Sequence, residues 1–157
     1  MKTLFLVIGK TIDKHLVALI DEYVNRVKHY QPFDLEVIPE LKNTKALTPE
    51  QQKEREAELL KKSLKEGDYV VLLDEGGKEF RSVDFARYLE QKQQTVSRRL
   101  VFIVGGPYGF SEEIYARGNF SLSLSEMTFS HQIVRAIFTE QIYRAFTILN
   151  NEPYHHE

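Results

Sequence analysis

Apolar residues follow two alternating rhythms along this chain. Four short, mainly apolar runs, at 3–8, 35–38, 69–73 and 100–104, have the length and branched-residue content of strands covered on both faces. Between them the spacing turns helical. Ile12, Leu16, Ile20, Val24 and Val27 recur every three or four residues, which predicts an amphipathic helix. Thr48-Pro49-Glu50-Gln51 has the form of a capping box with proline in the first turn, and it should open a charged helix running to about Gly67. Ser82 is expected to cap a third helix carrying Phe85 and Leu89. Ser111, followed by Glu112 and Glu113, should cap a short fourth one. The last helix carries Val134, Phe138, Ile142 and Ala145 on one face, with Ile133, Ile137 and Leu149 beside them. Its polar side should present Arg135, Thr139 and Tyr143 to solvent, with Glu140 and Arg144 at ion-pair spacing. Strands alternating with helices predict an α/β fold, a mostly parallel sheet flanked by helices, in a single domain over residues 1–157. The polar stretch 39–47 reads as a surface connection.

Composition narrows the chemistry. A chain of 157 residues buries a full core without staples. With no cysteine there is no disulfide framework, thiolate metal site or cysteine nucleophile, which fits a reducing cytoplasm. The apolar run at the N-terminus is too short for a signal peptide, and no stretch approaches the length of a membrane helix, so a cytoplasmic protein without membrane contact is expected. The formal net charge is −2, whereas a protein holding RNA by charge alone should be basic. An RNA partner would have to meet a local basic surface, or one shared between subunits. No DNA partner is expected.

Two strand ends attract attention, because ligands of open α/β sheets gather there. One run leads into Asp74-Glu75-Gly76-Gly77-Lys78. Another leads into Gly105-Gly106-Pro107-Tyr108-Gly109-Phe110. Glycine lets a backbone approach a ligand closely, though two flexible turns would look the same. Neither loop has the Walker pattern or Gly-x-Gly-x-x-Gly, so a dinucleotide or nucleoside triphosphate is poorly supported. A third segment, 121–131, could form a short strand opening into a loop, with Ser130 capping the last helix. The tail carries Tyr154, His155 and His156. It either frays or stacks on a base and exchanges protons. Two tail histidines with His131 make a poor metal geometry, so no metal is expected.

Taken in order, these segments resemble one family. Leu73-Asp74-Glu75-Gly76-Gly77-Lys78 is followed by Val104-Gly105-Gly106-Pro107-Tyr108-Gly109. Then come Leu124-Ser125-Glu126-Met127-Thr128-Phe129, His131 with Val134-Arg135, Glu140-Gln141-Ile142-Tyr143-Arg144-Ala145, and Pro153-Tyr154-His155. Over essentially its whole length the chain resembles the RlmH family, the ribosomal RNA large-subunit pseudouridine N3-methyltransferases of the SPOUT superfamily. Two positions depart from the family pattern. Ser130 stands where proline commonly precedes the histidine, and His156 stands where Arg or Lys often follows Tyr-His.

The resemblance implies a SPOUT fold with a C-terminal trefoil knot. It implies S-adenosylmethionine held by Leu73, Gly105, Leu124, Ser125, Glu126, Met127, Thr128 and Phe129. It also implies a homodimer with an active site completed across subunits, and a target in 23S ribosomal RNA of the assembled ribosome. A sulfonium donor needs no metal, so alignment of the acceptor nitrogen carries much of the work. The imide proton of the base must also be removed or its charge delocalised. His155 is the candidate for proton transfer, Tyr154 for stacking or orientation, and Arg144 for a phosphate or a developing negative charge, with His131 as a second candidate. Two alternatives stay open: a ribosome-binding factor without catalysis, and a SPOUT methyltransferase acting on transfer RNA. The latter commonly carries an extra RNA-binding domain, for which this chain has no residues left.

Overall fold

The parallel sheet that the alternation predicts is present in the computed structural model, which describes residues 1–156. Its strands are β1 (Lys2–Ile8), β2 (Phe33–Ile38), β3 (Tyr69–Glu79), β4 (Arg99–Val104) and β5 (Phe120–Ser123), in the spatial order β2-β1-β4-β3-β5. Every pairing is parallel. The helices are α1 (Lys14–Lys28), α2 (Pro49–Ser63), α3 (Ser82–Thr95), α4 (Glu112–Arg117) and α5 (Ile133–Leu149). Alternate residues of each strand point to opposite faces, which builds two cores. Phe5, Phe102 and Val71 pack under α1, α3 and α5, where Phe138 makes ring contacts with Phe5 and Phe102. Leu6, Leu72 and Ile103 pack under α2 and α4, against Leu60 and Ile114.

The cap signals hold in part. Thr48 and Gln51 bond reciprocally, Gln51 N–H to Thr48 Oγ1 at 3.1 Å and Thr48 N–H to Gln51 Oε1 at 3.0 Å. Asp13 caps α1, and Ser111 accepts from the Ile114 amide at 3.3 Å to open α4. Ser82 is not a cap. Arg81 holds that position without capping the helix through its side chain, while Ser82 Oγ reaches α5 to donate to Gln141 Oε1 at 3.3 Å. Ile12 does not join the buried stripe. It precedes the Asp13 cap and is 84% exposed. The second helix stops at Ser63, short of Gly67. β2 is not covered on both faces, because it is an edge strand with Val37 exposed.

The largest departure concerns α5. Arg135 and Thr139 do not face solvent but are fully buried. The polar side of this helix packs against the carboxyl end of β1, where Arg135 donates to the carbonyls of Ile8 (2.9 Å) and Gly9 (2.8 Å), to Thr11 Oγ1 (3.0 Å) and to its own-turn carbonyl of His131 (2.9 Å). Thr139 Oγ1 donates back to Arg135 O at 2.6 Å.

Candidate active site

Three loops leave the carboxyl ends of β3, β4 and β5 and enclose a cavity of about 560 Å³, within the usual range for small-molecule sites. The β3 contribution is an excursion inside the strand. Leu73 pairs with Leu122, and after four residues Lys78 pairs with Leu122 again. The excursion is tied by Asp74, whose Oδ2 accepts from the Gly76 amide at 3.1 Å and whose Oδ1 accepts from the Tyr115 hydroxyl at 2.7 Å. Burial, then that carboxylate bond, pushes the Tyr115 hydroxyl up to about 12. Gly77 is glycine by necessity: a β-carbon there would lie 2.6 Å from the Ser121 carbonyl carbon in β5.

The β4 loop turns tightly, with the Gly109 amide donating to Gly106 O at 3.1 Å and Gly109 at φ +82°. Gly106 rests directly on Glu56 of α2, so a β-carbon would stand 2.6 Å from Glu56 Oε1. That carboxyl is buried, Oε1 has no hydrogen-bond partner, and Oε2 has only a long bond from Gln52 at 3.4 Å. Burial raises its pKa. The β5 loop satisfies itself through serines. Ser123 Oγ donates to Ser125 O, Ser125 Oγ accepts from the Met127 amide, and Ser130 Oγ accepts from the Ile133 amide, each at 3.0 Å.

Leu73, Gly105, Leu124, Ser125, Met127, Thr128 and Phe129 all line this cavity, joined by His131 and Val134. Glu126 does not line it; the side chain is exposed as the loop turns outward. The lining carries two carboxylates, Asp74 and Glu75, and no Lys or Arg. Such a site favours a cationic or neutral ligand over a phosphate.

The other three singled-out residues gather elsewhere. Arg144 Nη1 contacts His155 Nδ1 at 3.1 Å, and Arg144 Nη2 donates to Glu140 Oε1 at 2.6 Å. Tyr154 donates to the same oxygen at 2.9 Å, stacks edge-on against Tyr143, and lies 3.1 Å from the Tyr23 hydroxyl. Burial first, then Tyr23 and Glu140, pushes the Tyr154 hydroxyl well above its ordinary value. The tail is therefore docked rather than frayed, with Glu152 also accepting from Tyr30 at 2.7 Å. None of Arg144, Tyr154 and His155 lines the cavity. Arg144 follows Val134 by almost three turns of α5, roughly 15 Å along the axis.

Sequence reasoning missed Tyr23, which sat unremarked between two apolar stripe positions, and the buried role of Arg135. It also missed Glu56, one of several glutamates on a charged helix. Among the described residues no group of three or more His, Asp or Glu is placed to hold a metal ion, and no helix is long and apolar enough to cross a membrane.

A cavity outside the carboxyl ends of a parallel sheet, walled by backbone turns and edged with carboxylates, is the place where ligands of open α/β folds gather. Residues 1–155 match the family described as "Predicted SPOUT methyltransferase", and the chain belongs to that family of methyltransferases. It is 61% identical over its full length, and the relative's, to the ribosomal RNA large subunit methyltransferase H of Bacteroides fragilis. The proteins of that name from Phocaeicola vulgatus and Flavobacterium johnsoniae are 62% and 53% identical, again over all of both chains.

Proposed function

We propose that this chain is an S-adenosylmethionine-dependent methyltransferase of the cytoplasm that modifies N3 of a pseudouridine in 23S ribosomal RNA on the assembled ribosome, working as a homodimer of single knotted domains. The full-length identity to ribosomal RNA large subunit methyltransferases supports the reaction and its substrate class. The residues fit the methyl donor. Leu73, Leu124 and Val134 offer apolar walls, the Gly105 loop offers backbone groups, and Asp74 and Glu75 suit a ligand carrying ammonium and sulfonium charges. When bound, that donor supplies an electrophilic methyl carbon on sulfur, and direct displacement needs no metal. The protein's own task is to align the acceptor nitrogen with that carbon and exclude water.

One observation carries the dimer. The cavity and the Arg144–Tyr154–His155 cluster occupy different stretches of α5 in one protomer, so neither alone makes a complete site. A twofold pairing that sets α5 against its copy brings each tail cluster to the other protomer's cavity. Mixed dimers test this. Gly105→Val and His155→Ala proteins should each be inactive alone. Mixed, they should recover up to about a quarter of wild-type activity, because half the dimers are heterodimers and each has one intact composite site. No recovery despite subunit exchange would confine the site to one chain.

A further inference from the structure

A chain of net charge −2 needs a local basic surface to hold RNA, and one lies a short way from the cavity. Leu122 and Leu124 line both the cavity and a smaller hollow of about 230 Å³. Phe80 lines that hollow and a third, of about 440 Å³, which is open to solvent beside α3. The three form one track along β5 and the end of β3. Their charges differ. The cavity carries carboxylates and no Lys or Arg, whereas the open hollow carries Lys78 and Arg87 against the single carboxylate of Asp84.

Aromatic rings wall the open hollow. Tyr88 lies 5.0 Å from Phe120 and 5.3 Å from Phe80, centroid to centroid, and all three residues are half-buried. Lys78 Nζ stands 5.0 Å from the Phe80 ring. Lys92 Nζ stands 4.4 Å from the ring of Tyr69 and 5.2 Å from that of Tyr88. Among the described residues neither ammonium forms an ion pair, and the bond of the exposed Arg87 to Asp84 is long, at 3.4 Å. The edge of a core needs the rings, but not three cations set around them.

We propose that this patch binds the single-stranded RNA flanking the target nucleotide, its rings stacking on bases and Lys78, Arg87 and Lys92 meeting phosphates. The proposal rests on the ribosomal RNA methyltransferase reading above and says which surface holds that substrate. Unpaired nucleotides offer a π-face and a phosphate at every step, and rings interleaved with cations answer both. An exposed ammonium over a ring is held weakly, and so is an exposed ion pair within one helix, so phosphates displace both at little cost. α5 packs between α1 and α3, which leaves the patch at the β3–β5 end of the sheet, beyond the α5 pairing. From that end the track leads a strand toward the cavity.

Sedimentation with assembled ribosomes across a salt series tests the patch. The triple variant Lys78→Gln/Arg87→Gln/Lys92→Gln should bind about tenfold or more weakly at about 0.1 M salt, and its slope of log affinity against log salt should flatten by about two. Its affinity for S-adenosylmethionine in calorimetry should match wild type, which shows that the fold is kept. In methylation its KM for ribosomes should rise while kcat stays within about twofold of wild type. Tyr88→Leu should lose about fivefold to a hundredfold in ribosome affinity, the worth of one stacked base, and Tyr88→Phe should stay near wild type. Ultraviolet crosslinking of wild type to ribosomes should join RNA to peptides containing Phe80, Tyr88 or Phe120. A triple variant with wild-type affinity and salt slope would overturn the proposal. Crosslinks from these peptides to ribosomal proteins alone would overturn it too, and make the patch a protein-docking surface. Were wild type to bind ribosomal RNA through this patch and transfer no methyl group, the enzymatic reading would fail and the RNA surface would stand.

Discussion

Arg135 donates through Nη1 to the carbonyl of Gly9 at 2.8 Å, joining the start of α5 to the end of β1 across 126 residues of chain. Arg135 is 1% exposed, and its guanidinium satisfies three carbonyls and a hydroxyl, among them His131 O at the cavity's edge. Removing it leaves these acceptors without partners, each costing about 1–3 kcal/mol if nothing replaces the bond. Arg135→Lys keeps the charge but not the fork, and should lower stability by about 3 kcal/mol in urea unfolding, with donor affinity falling too. A loss under about 1 kcal/mol would mean that these carbonyls find other donors.

The two glycines of the β4 loop should answer substitution differently. A β-carbon on Gly105 would meet Phe110 Cε1 at 3.2 Å and Gly109 O at 3.3 Å, contacts that a small loop shift relieves. Gly105→Val should therefore fold, yet lose methyl-donor binding in calorimetry. At Gly106 the obstacle is the buried Glu56 carboxyl, 2.8 Å away even at its carbon. Gly106→Ala should cost more stability than Gly105→Ala. Equal melting temperatures for the two alanine variants would contradict this geometry.

Two buried carboxyls should give opposite pH behaviour. Burial pushes Asp68 up, but the bonds from Arg99, the Lys65 amide and the charges of Arg99 and Arg117 outweigh it, and its pKa is lowered. Its contribution is present above the unfolded value of about 3.9 and is lost as pH falls through the folded one. Burial of Glu56 outweighs the bond from Gln52, and its pKa is raised. Its contribution is present below about 4.3 and is lost as pH rises through the folded value. Melting curves across pH should show Glu56→Gln gaining on wild type as acid gives way to neutral, and Asp68→Asn falling behind it. Curves parallel to wild type would refute both assignments.

Those two carboxyls also mark how far the sequence could be read. Local signals were legible: Thr48 and Gln51 form the capping box that their spacing implies, and the four apolar runs fall in β1 to β4, with β5 in the segment that could only be read as a possible strand. The cavity-lining positions were legible through resemblance rather than pattern, and all but Glu126 line one cavity. What periodicity misassigned was polarity in the interior. Arg135 and Thr139 fall on the polar side of a helical wheel, and a wheel cannot know that carbonyls of β1 wait on that side. The excursion of β3 was hidden for a similar reason. Lys78 stood in the glycine loop after the third run, yet it and Glu79 pair with β5 because Gly77 lets the two backbones touch.

Activity should survive chelation of free divalent ions, provided magnesium keeps the ribosomes intact in a parallel control. Inactivation reversed by zinc or manganese, with ribosomes intact throughout, would establish a metal site that includes histidine.

Deleting the chain from Pro153 onward removes the bonds of Tyr154 to Glu140 and Tyr23 and that of His155 from Arg144. Stability should drop by about 1 kcal/mol per lost bond. Donor affinity should stay nearly unchanged, because no described tail residue lines the cavity of its own protomer. Methyl transfer should fall by about a hundredfold or more. Wild-type turnover by the truncated protein would reduce the tail to packing.

The most direct measurement is mass analysis of large-subunit ribosomal RNA from cells lacking this protein, with and without the gene restored. The account predicts one pseudouridine 14 mass units lighter in the deletion, the mass of a methyl group replacing a proton (about 14 by composition), and its return on complementation. An identical modification map in both strains would contradict it.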